Sequence, residues 1–143
     1  MKGDLKTLIV LFKAHANVVK HVKQSLEDTD LSLNEFTAME ALYFLGTLSA
    51  QEIIDKVLIP NSSMTYVLEN LAKKNYISRE RDSKDRRVLK SRLTDEGRAV
   101  FETIYRHHHE HMRGVFDALT NEEEKQLQEL LKKLGRHAEE TAR

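Results

Sequence analysis

The apolar residues of this chain recur mostly at three- and four-residue steps, which is the period of helices with one buried face. Leu5, Leu8, Ile9, Phe12, Ala16, Val19, Val22 and Leu26 trace such a stripe and predict a first helix over about 4–26. Ser32 with Glu35 three residues on forms a Ser-x-x-Glu capping box, so a second helix opens there with Phe36, Met39, Leu42, Tyr43 and Leu45 facing inward. Gly46 is expected to provide its left-handed exit. The box repeats at Ser49 and Glu52, opening a short helix with Ile53, Ile54, Val57 and Leu58 inside and Pro60 at its end. Asn61 or Ser62 then caps a fourth helix through Lys74, buried along Met64, Val67, Leu68 and Leu71, with Asn75 as its left-handed terminator.

The period then changes. Residues 76–81 and 88–93 partly alternate between apolar and polar positions, and Asp82-Ser83-Lys84-Asp85 between them is turn-forming. The pattern predicts a β-hairpin with a basic tip, which must lean on neighbouring helices because two strands alone are marginal. Thr94 caps a long helix to about 119, with Val100, Phe101, Ile104, His108, Met112, Val115 and Phe116 along one side. Thr120 and Glu123 form a third capping box, and Leu127, Leu130, Leu131, Leu134 and Ala138 stripe the final helix. The fold class is therefore mostly α with a small β-hairpin wing. The pattern is that of a winged helix-turn-helix with extra helices at both chain ends, and the apolar stripes of those N- and C-terminal helices make them the expected dimerisation helices. The 143 residues suit a single domain, with the DNA-binding lobe over about 32–94 and dimerisation helices over about 4–26 and 95–141.

Composition narrows the function. The chain has no cysteine, which excludes disulfides, thiolate metal sites and thiol redox switches. No apolar run reaches the roughly 20 residues of a membrane span, so a soluble, cytoplasmic protein is expected, with no membrane partner. Lys plus Arg balance Asp plus Glu at 23 each, which speaks against a polycationic coat. The balance conceals a distribution. Residues 1–72 carry six positive and nine negative side chains, 73–92 carry nine and three, and 93–143 carry eight and eleven. The positive block falls on the hairpin and the end of the helix before it.

A helix-turn-helix places its last helix in the major groove, and basic hairpin tips enter the adjacent minor groove. Ser62, Ser63, Thr65, Tyr66 and Glu69 form the reading face opposite the apolar stripe, with Lys73 and Lys84 in the basic block. Asp85-Arg86-Arg87-Val88-Leu89-Lys90-Ser91-Arg92-Leu93-Thr94-Asp95-Glu96-Gly97 resembles the wing signature of the MarR (multiple-antibiotic-resistance regulator) family of bacterial transcription regulators. Residues 63–77 resemble that family's recognition helix and the start of its wing. The resemblance implies a homodimer that grips a palindromic double-stranded DNA operator, usually as a repressor. It implies Arg87 as the minor-groove arginine, Asp85 as the acid that orients it and Arg86 as a phosphate contact. Tyr66 stands where many members carry arginine, and Asn75 where glycine is usual.

The resemblance further implies release from DNA by a small aromatic, phenolic or quinone-type inducer, with residues 5–11 and 63–68 similar to the quinone-responsive branch. The pocket residues it implies are His15, Phe36, Met39, Tyr43 and His108. His107-His108-His109-Glu110-His111 offers an alternative, because His107 and His111 lie one helical turn apart and suit a shared zinc ion. The histidines fan round the helix, so all four cannot face one ion. Acid–base catalysis by these histidines is the rival from another class. No phosphate loop, nucleophile elbow or metalloprotease motif accompanies them, so neither an enzyme nor a cofactor is expected.

Overall fold

In the computed structural model, which describes residues 4–57 and 63–142, local chemistry decides where most helices begin. The order is α1 (Lys6–Gln24), α2 (Leu33–Leu45), β1 (Leu48–Ser49), α3 (Ala50–Lys56), α4 (Met64–Lys73), β2 (Ile77–Arg81), β3 (Leu89–Leu93), α5 (Asp95–Phe116) and α6 (Asn121–Thr141). The three capping boxes form as expected. Glu35 N donates to Ser32 Oγ at 3.1 Å while Ser32 N donates to Glu35 Oε1 at 2.9 Å. The pairs Ser49–Glu52 and Thr120–Glu123 repeat this geometry. Thr94 Oγ1 accepts from Gly97 N at 2.9 Å and starts α5. Each such cap is worth about 1 kcal/mol of helix stability. The residues proposed to end α3 and cap α4 (Leu58, Pro60, Asn61 and Ser62) lie outside the described residues.

The hairpin forms, with Ile77 opposite Leu93 and Arg81 opposite Leu89, but it is part of a larger sheet. Leu48 and Ser49 pair antiparallel with Ser91 and Lys90, giving three strands in the order β1-β3-β2. The hairpin is thereby supported on one edge by strand pairing as well as by helices.

The core lies between α2, α3, α4, the sheet and the first half of α5. Phe36, Met39, Leu42, Ile53, Leu68, Leu71 and Phe101 are its fully enclosed side chains. Phe36 and Phe101 stack with ring centres 5.5 Å apart. Leu45 and Ile54, expected inside, are exposed. Leu45 is the last residue of α2 and its position follows the end of the helix outward. Gly46 has a positive φ of 89° as expected, but its ψ of −149° lies outside the left-handed helical region, in space open essentially to glycine alone. Asn75 takes φ 63° and ends the recognition-helix segment. Helix α5 stops at Phe116, three residues short of expectation, and Leu119 is partly buried in the connection to α6. No residue of α1 or α6 is buried; Leu5, Leu8, Leu127, Leu130, Leu131 and Leu134 of the two stripes are exposed, while Leu26, beyond the end of α1, joins the core. Among the described residues no helix is long and apolar enough to cross a membrane.

Polar contacts join the start of α2, the end of α4 and the start of α5. Lys74 Nζ lies 3.0 Å from Glu35 Oε2 and also donates to the Asp30 carbonyl. The Tyr76 hydroxyl donates to Asp30 Oδ2 at 2.8 Å, and this carboxylate acceptor pushes the phenol up to about 12. Asn75 Nδ2 donates to Glu96 at 3.0 Å, and Thr94 Oγ1 donates to the Asn75 carbonyl at 2.8 Å.

At this junction Gly97 meets backbone directly. A Cβ placed there would fall 1.9 Å from the Tyr76 carbonyl oxygen, which already accepts from Thr94 N at 3.0 Å. Rigid backbone cannot yield as a side chain can. Gly97→Ala is therefore expected to destabilise the fold by roughly 3 kcal/mol or more despite alanine's better helix propensity. Chemical denaturation measures it, and a stabilised or neutral variant would contradict this packing.

Candidate nucleic-acid interface

Helix α4 turns Met64, Val67, Leu68 and Leu71 into the core, and this leaves Thr65, Tyr66, Glu69 and Lys73 on its outer face. Ser63 occupies the N-cap position and is exposed. Tyr66 is 62 % exposed, unusual for a tyrosine with so much apolar ring to hide, and stands out from the first turn of the helix. Hydroxyl groups and an aromatic edge at a helix start suit phosphates, base edges and thymine methyls alike.

The wing tip is an ordered turn. Asp82 N donates to the Val88 carbonyl at 2.8 Å, Val88 N to the Asp85 carbonyl at 3.0 Å, and Asp85 N to Asp82 Oδ2 at 3.2 Å. This arrangement aims Asp85 at Arg87. Arg87 Nε lies 3.0 Å from Asp85 Oδ1 and Nη2 lies 3.1 Å from Oδ2, a two-pronged match of guanidinium to carboxylate. The Arg87 backbone N–H adds a third bond to Oδ1 at 3.1 Å. These bonds, side chain first and backbone second, hold the Asp85 carboxyl below its usual range, while the carboxylate raises Arg87. Asp85 is therefore ionised throughout the neutral range, and the pair is lost only when pH falls through that depressed value. The Arg87 side chain is nonetheless 91 % exposed, so it is oriented without being covered. Lys84 and Arg86 are exposed beside it. Arg79 and Arg81 on β2 and Lys90 and Arg92 on β3 add further positive charge along the strands, on opposite faces of the sheet, with Lys90 3.8 Å from Glu52 and Arg92 3.9 Å from Glu80.

Of the five pocket residues implied by resemblance, Phe36, Met39, Tyr43 and His108 lie in or against the core and His15 lies apart. Phe36 and Met39 are enclosed core residues. Tyr43 packs against Phe101 at 4.9 Å between ring centres, with the Arg98 guanidinium 5.0 Å over its face. His108 lies 4.7 Å from the Phe36 ring. His15 is exposed on α1 and makes no hydrogen bond or ring contact with the other four. Beside this cluster, a cleft of about 220 Å³ opens between α2 and α5, lined by Glu40, Tyr105, His108, His109, Met112, Arg113 and Phe116. Only His108 of the implied set reaches it. Glu40 escaped sequence reading because a glutamate on a helix ordinarily faces water.

The histidines of α5 have different partners. His111 Nε2 lies 3.0 Å from His21 Nδ1 on α1, while its ring centre is 6.4 Å from that of His107. Among the described residues no three possible metal ligands come together, so the zinc alternative gains no support. Ser25 Oγ donates to the Val22 carbonyl at 2.6 Å, which uses its one proton. The 2.9 Å contact with His108 is therefore donated by His108 Nδ1, which assigns this tautomer from the network.

The ordered wing, the outward face of α4 and the sheet that braces them define a winged-helix, DNA-binding transcription regulator. The chain belongs to the MarR family: residues 31–89 match the MarR family model. It is 31% identical over 137 residues to the HTH-type transcriptional regulator MhqR of Bacillus subtilis (strain 168), covering 96% of this chain and 94% of that protein. The fold superposes on Bordetella bronchiseptica BpsR, whose DNA binding is regulated by 6-hydroxynicotinic acid, with TM-score 0.80, 24% identity and coverage of 94% and 95% of the two chains. It superposes likewise on Streptococcus pneumoniae FabT in complex with DNA, with TM-score 0.74, 23% identity and coverage of 94% and 96%. Such relatives are regulators of transcription, and the chain is not an enzyme.

Burial lowers the His108 pKa from its ordinary 6.5, and neighbouring His109, His111 and His107 add to the shift. The unfolded chain takes up this proton before the folded one does. Stability is then complete above the ordinary value and declines as pH falls through it towards the folded value. The melting temperature is expected to fall between about pH 7.5 and about pH 5.5, and to fall less in His108→Gln. Equal losses in both proteins would remove His108 as a cause.

Proposed function

We propose that the protein is a cytoplasmic homodimeric repressor, released from a palindromic operator by a small aromatic ligand of phenolic or quinone type. The observation that carries the DNA reading is the exposed Arg87, oriented by three hydrogen bonds to Asp85 at the wing tip. An arginine so oriented has little rotamer freedom left to lose on entering a narrow minor groove, where negative potential concentrates. Ser63, Thr65, Tyr66 and Lys73 then meet the major groove and its phosphates, with Lys84 and Arg86 on the backbone beside the wing. Ser62 belongs to the same reading from its sequence position alone. Arg87→Ala is expected to weaken operator binding by roughly tenfold or more, with unchanged melting temperature, as read by fluorescence anisotropy. Unchanged affinity would overturn the wing's role.

The dimer reading rests on two outward apolar stripes at opposite ends of the chain. Leu5, Leu8, Ile9 and Phe12 on or beside α1 and Leu127, Leu130, Leu131 and Leu134 on α6 are exposed. Together they exceed the scattered surface leucines of an ordinary monomer, and covering them against a second copy removes the apolar surface from water. Leu131→Asp is expected to raise the dimer dissociation constant by roughly thirtyfold or more in sedimentation, the effect of losing a central contact. A wild-type chain that sediments as a monomer at all concentrations would end this reading.

The inducer reading is supported by the aromatic cluster of Tyr43, Phe101, Tyr105 and His108 beside a cleft at the border of the DNA-binding lobe. A ligand there touches α5, whose first turn abuts the end of the recognition helix.

A further inference from the structure

The cleft between α2 and α5 has a chemistry that sorts ligands by charge. Its volume of about 220 Å³ exceeds the roughly 150 Å³ cavity that admits benzene, so it suits a molecule of one or two rings. Tyr105, Met112 and Phe116 supply aromatic and thioether surface, the usual wall of a site for a flat organic molecule. The polar groups then decide what that molecule carries.

Glu40 is half-buried on α2, and among the described residues no ion pair or hydrogen bond engages its carboxylate. Removal from water raises its pKa, and its charge in turn helps raise that of Tyr105. Arg113, the one side chain in the lining that carries a permanent positive charge, is already committed. Its Nη2 and Nη1 lie 3.0 and 3.3 Å from the two carboxylate oxygens of Glu124, and Nη2 is 3.7 Å from Asp117. Two acids therefore offset one arginine, and among the described residues no ion pair reaches Glu40; His109, also in the lining, lies beside the Tyr105 ring at 6.0 Å between ring centres. His108, held towards its neutral form and hydrogen-bonded to Ser25, does not supply a counter-charge. A carboxylate seated here would face Glu40 across a partly dehydrated cleft, where like charges repel more strongly than in water. A donor would satisfy it.

We propose that this cleft binds an aromatic ligand bearing a hydrogen-bond donor, a phenolic O–H or a protonated amine, which it donates to the Glu40 carboxylate, and that Glu40 rejects aromatic carboxylates. The proposal rests on the ligand-responsive reading above and narrows it. It separates this protein from BpsR, whose regulator, 6-hydroxynicotinic acid, carries a carboxyl group.

Titration calorimetry at neutral pH with four matched probes tests it: 2-naphthol, 2-methoxynaphthalene, 2-naphthoate and 2-naphthylmethylammonium. The full-length protein is expected to bind 2-naphthol about tenfold or more tighter than either the methoxy compound or 2-naphthoate, the effect of one hydrogen bond to a charged acceptor. In Glu40→Gln the ratio of 2-naphthoate to 2-naphthol affinity should rise by at least about tenfold, while the melting temperature reports that the fold is unchanged. Tighter binding of the ammonium than of naphthol identifies an amine donor, and the reverse a phenolic one. The proposal is overturned if 2-naphthoate binds the wild-type protein as well as 2-naphthol, if Glu40→Gln leaves the ratio unmoved, or if no probe binds. Operator affinity measured on the same samples separates failure of the ligand site from failure of the wing. A protein that binds DNA through Arg87 yet ignores the probes refutes only the ligand site.

Discussion

The ion pair between Glu35 and Lys74 is the contact on which the geometry of the DNA-binding lobe depends. Glu35 is buried and serves twice, closing the capping box that starts α2 and meeting the lysine that follows α4. A buried carboxylate left alone is costly, so the end of the recognition helix is held where Lys74 can reach it. Lys74 also donates to the Asp30 carbonyl, and Tyr76, two residues on, donates to the Asp30 side chain. The chain then turns at Asn75, enters the wing through Ile77 and returns at Thr94, which donates to the Asn75 carbonyl. Recognition helix, wing and α5 are thus tied to one short stretch around residues 30–35. The absence of a side chain at Gly97 is what lets α5 close against the Tyr76 backbone.

That geometry gives the charge distribution its meaning. A chain with 23 positive and 23 negative side chains has no long-range pull on nucleic acid as a whole. Nine of the positive charges nevertheless fall in residues 73–92, which make up the end of α4, the two wing strands and the turn between them. Most acidic side chains lie outside that block, although Glu69 shares the outer face of α4 and Glu80, Asp82 and Asp85 lie within the block itself. Binding is thereby directed by position, without the indiscriminate adhesion of a polycation.

How much of this was legible in the sequence followed the range of each interaction. The capping boxes at Ser32, Ser49 and Thr120 were readable because both partners lie within three residues. The hairpin showed through its change of period, and the Asp85–Arg87 pair through a motif whose ends lie two residues apart. Strand β1 was missed, since two residues carry no periodicity and Leu48 and Ser49 find their partners more than forty residues away. Ile54 and Leu45 were misplaced because helical steps mark a stripe without marking how far the neighbouring helices cover it. The pairing of His21 with His111 crosses ninety residues, and the implied pocket took His15 from the same helix instead. Glu40 was invisible for a related reason: its setting is defined by Tyr105, Met112 and Phe116, all on another helix.

Ser49 belongs to two structures at once. Its backbone is paired with Lys90 in the sheet, and its side chain caps α3. Glu52, its partner in the cap, has its carboxylate 3.8 Å from the Lys90 ammonium. Any sideways force on the wing's returning strand is consequently felt as a tug at the mouth of the helix-turn-helix. Strand β3 of the wing and helix α3 of the helix-turn-helix are thus joined through one residue, by backbone pairing on one side and a helix cap on the other.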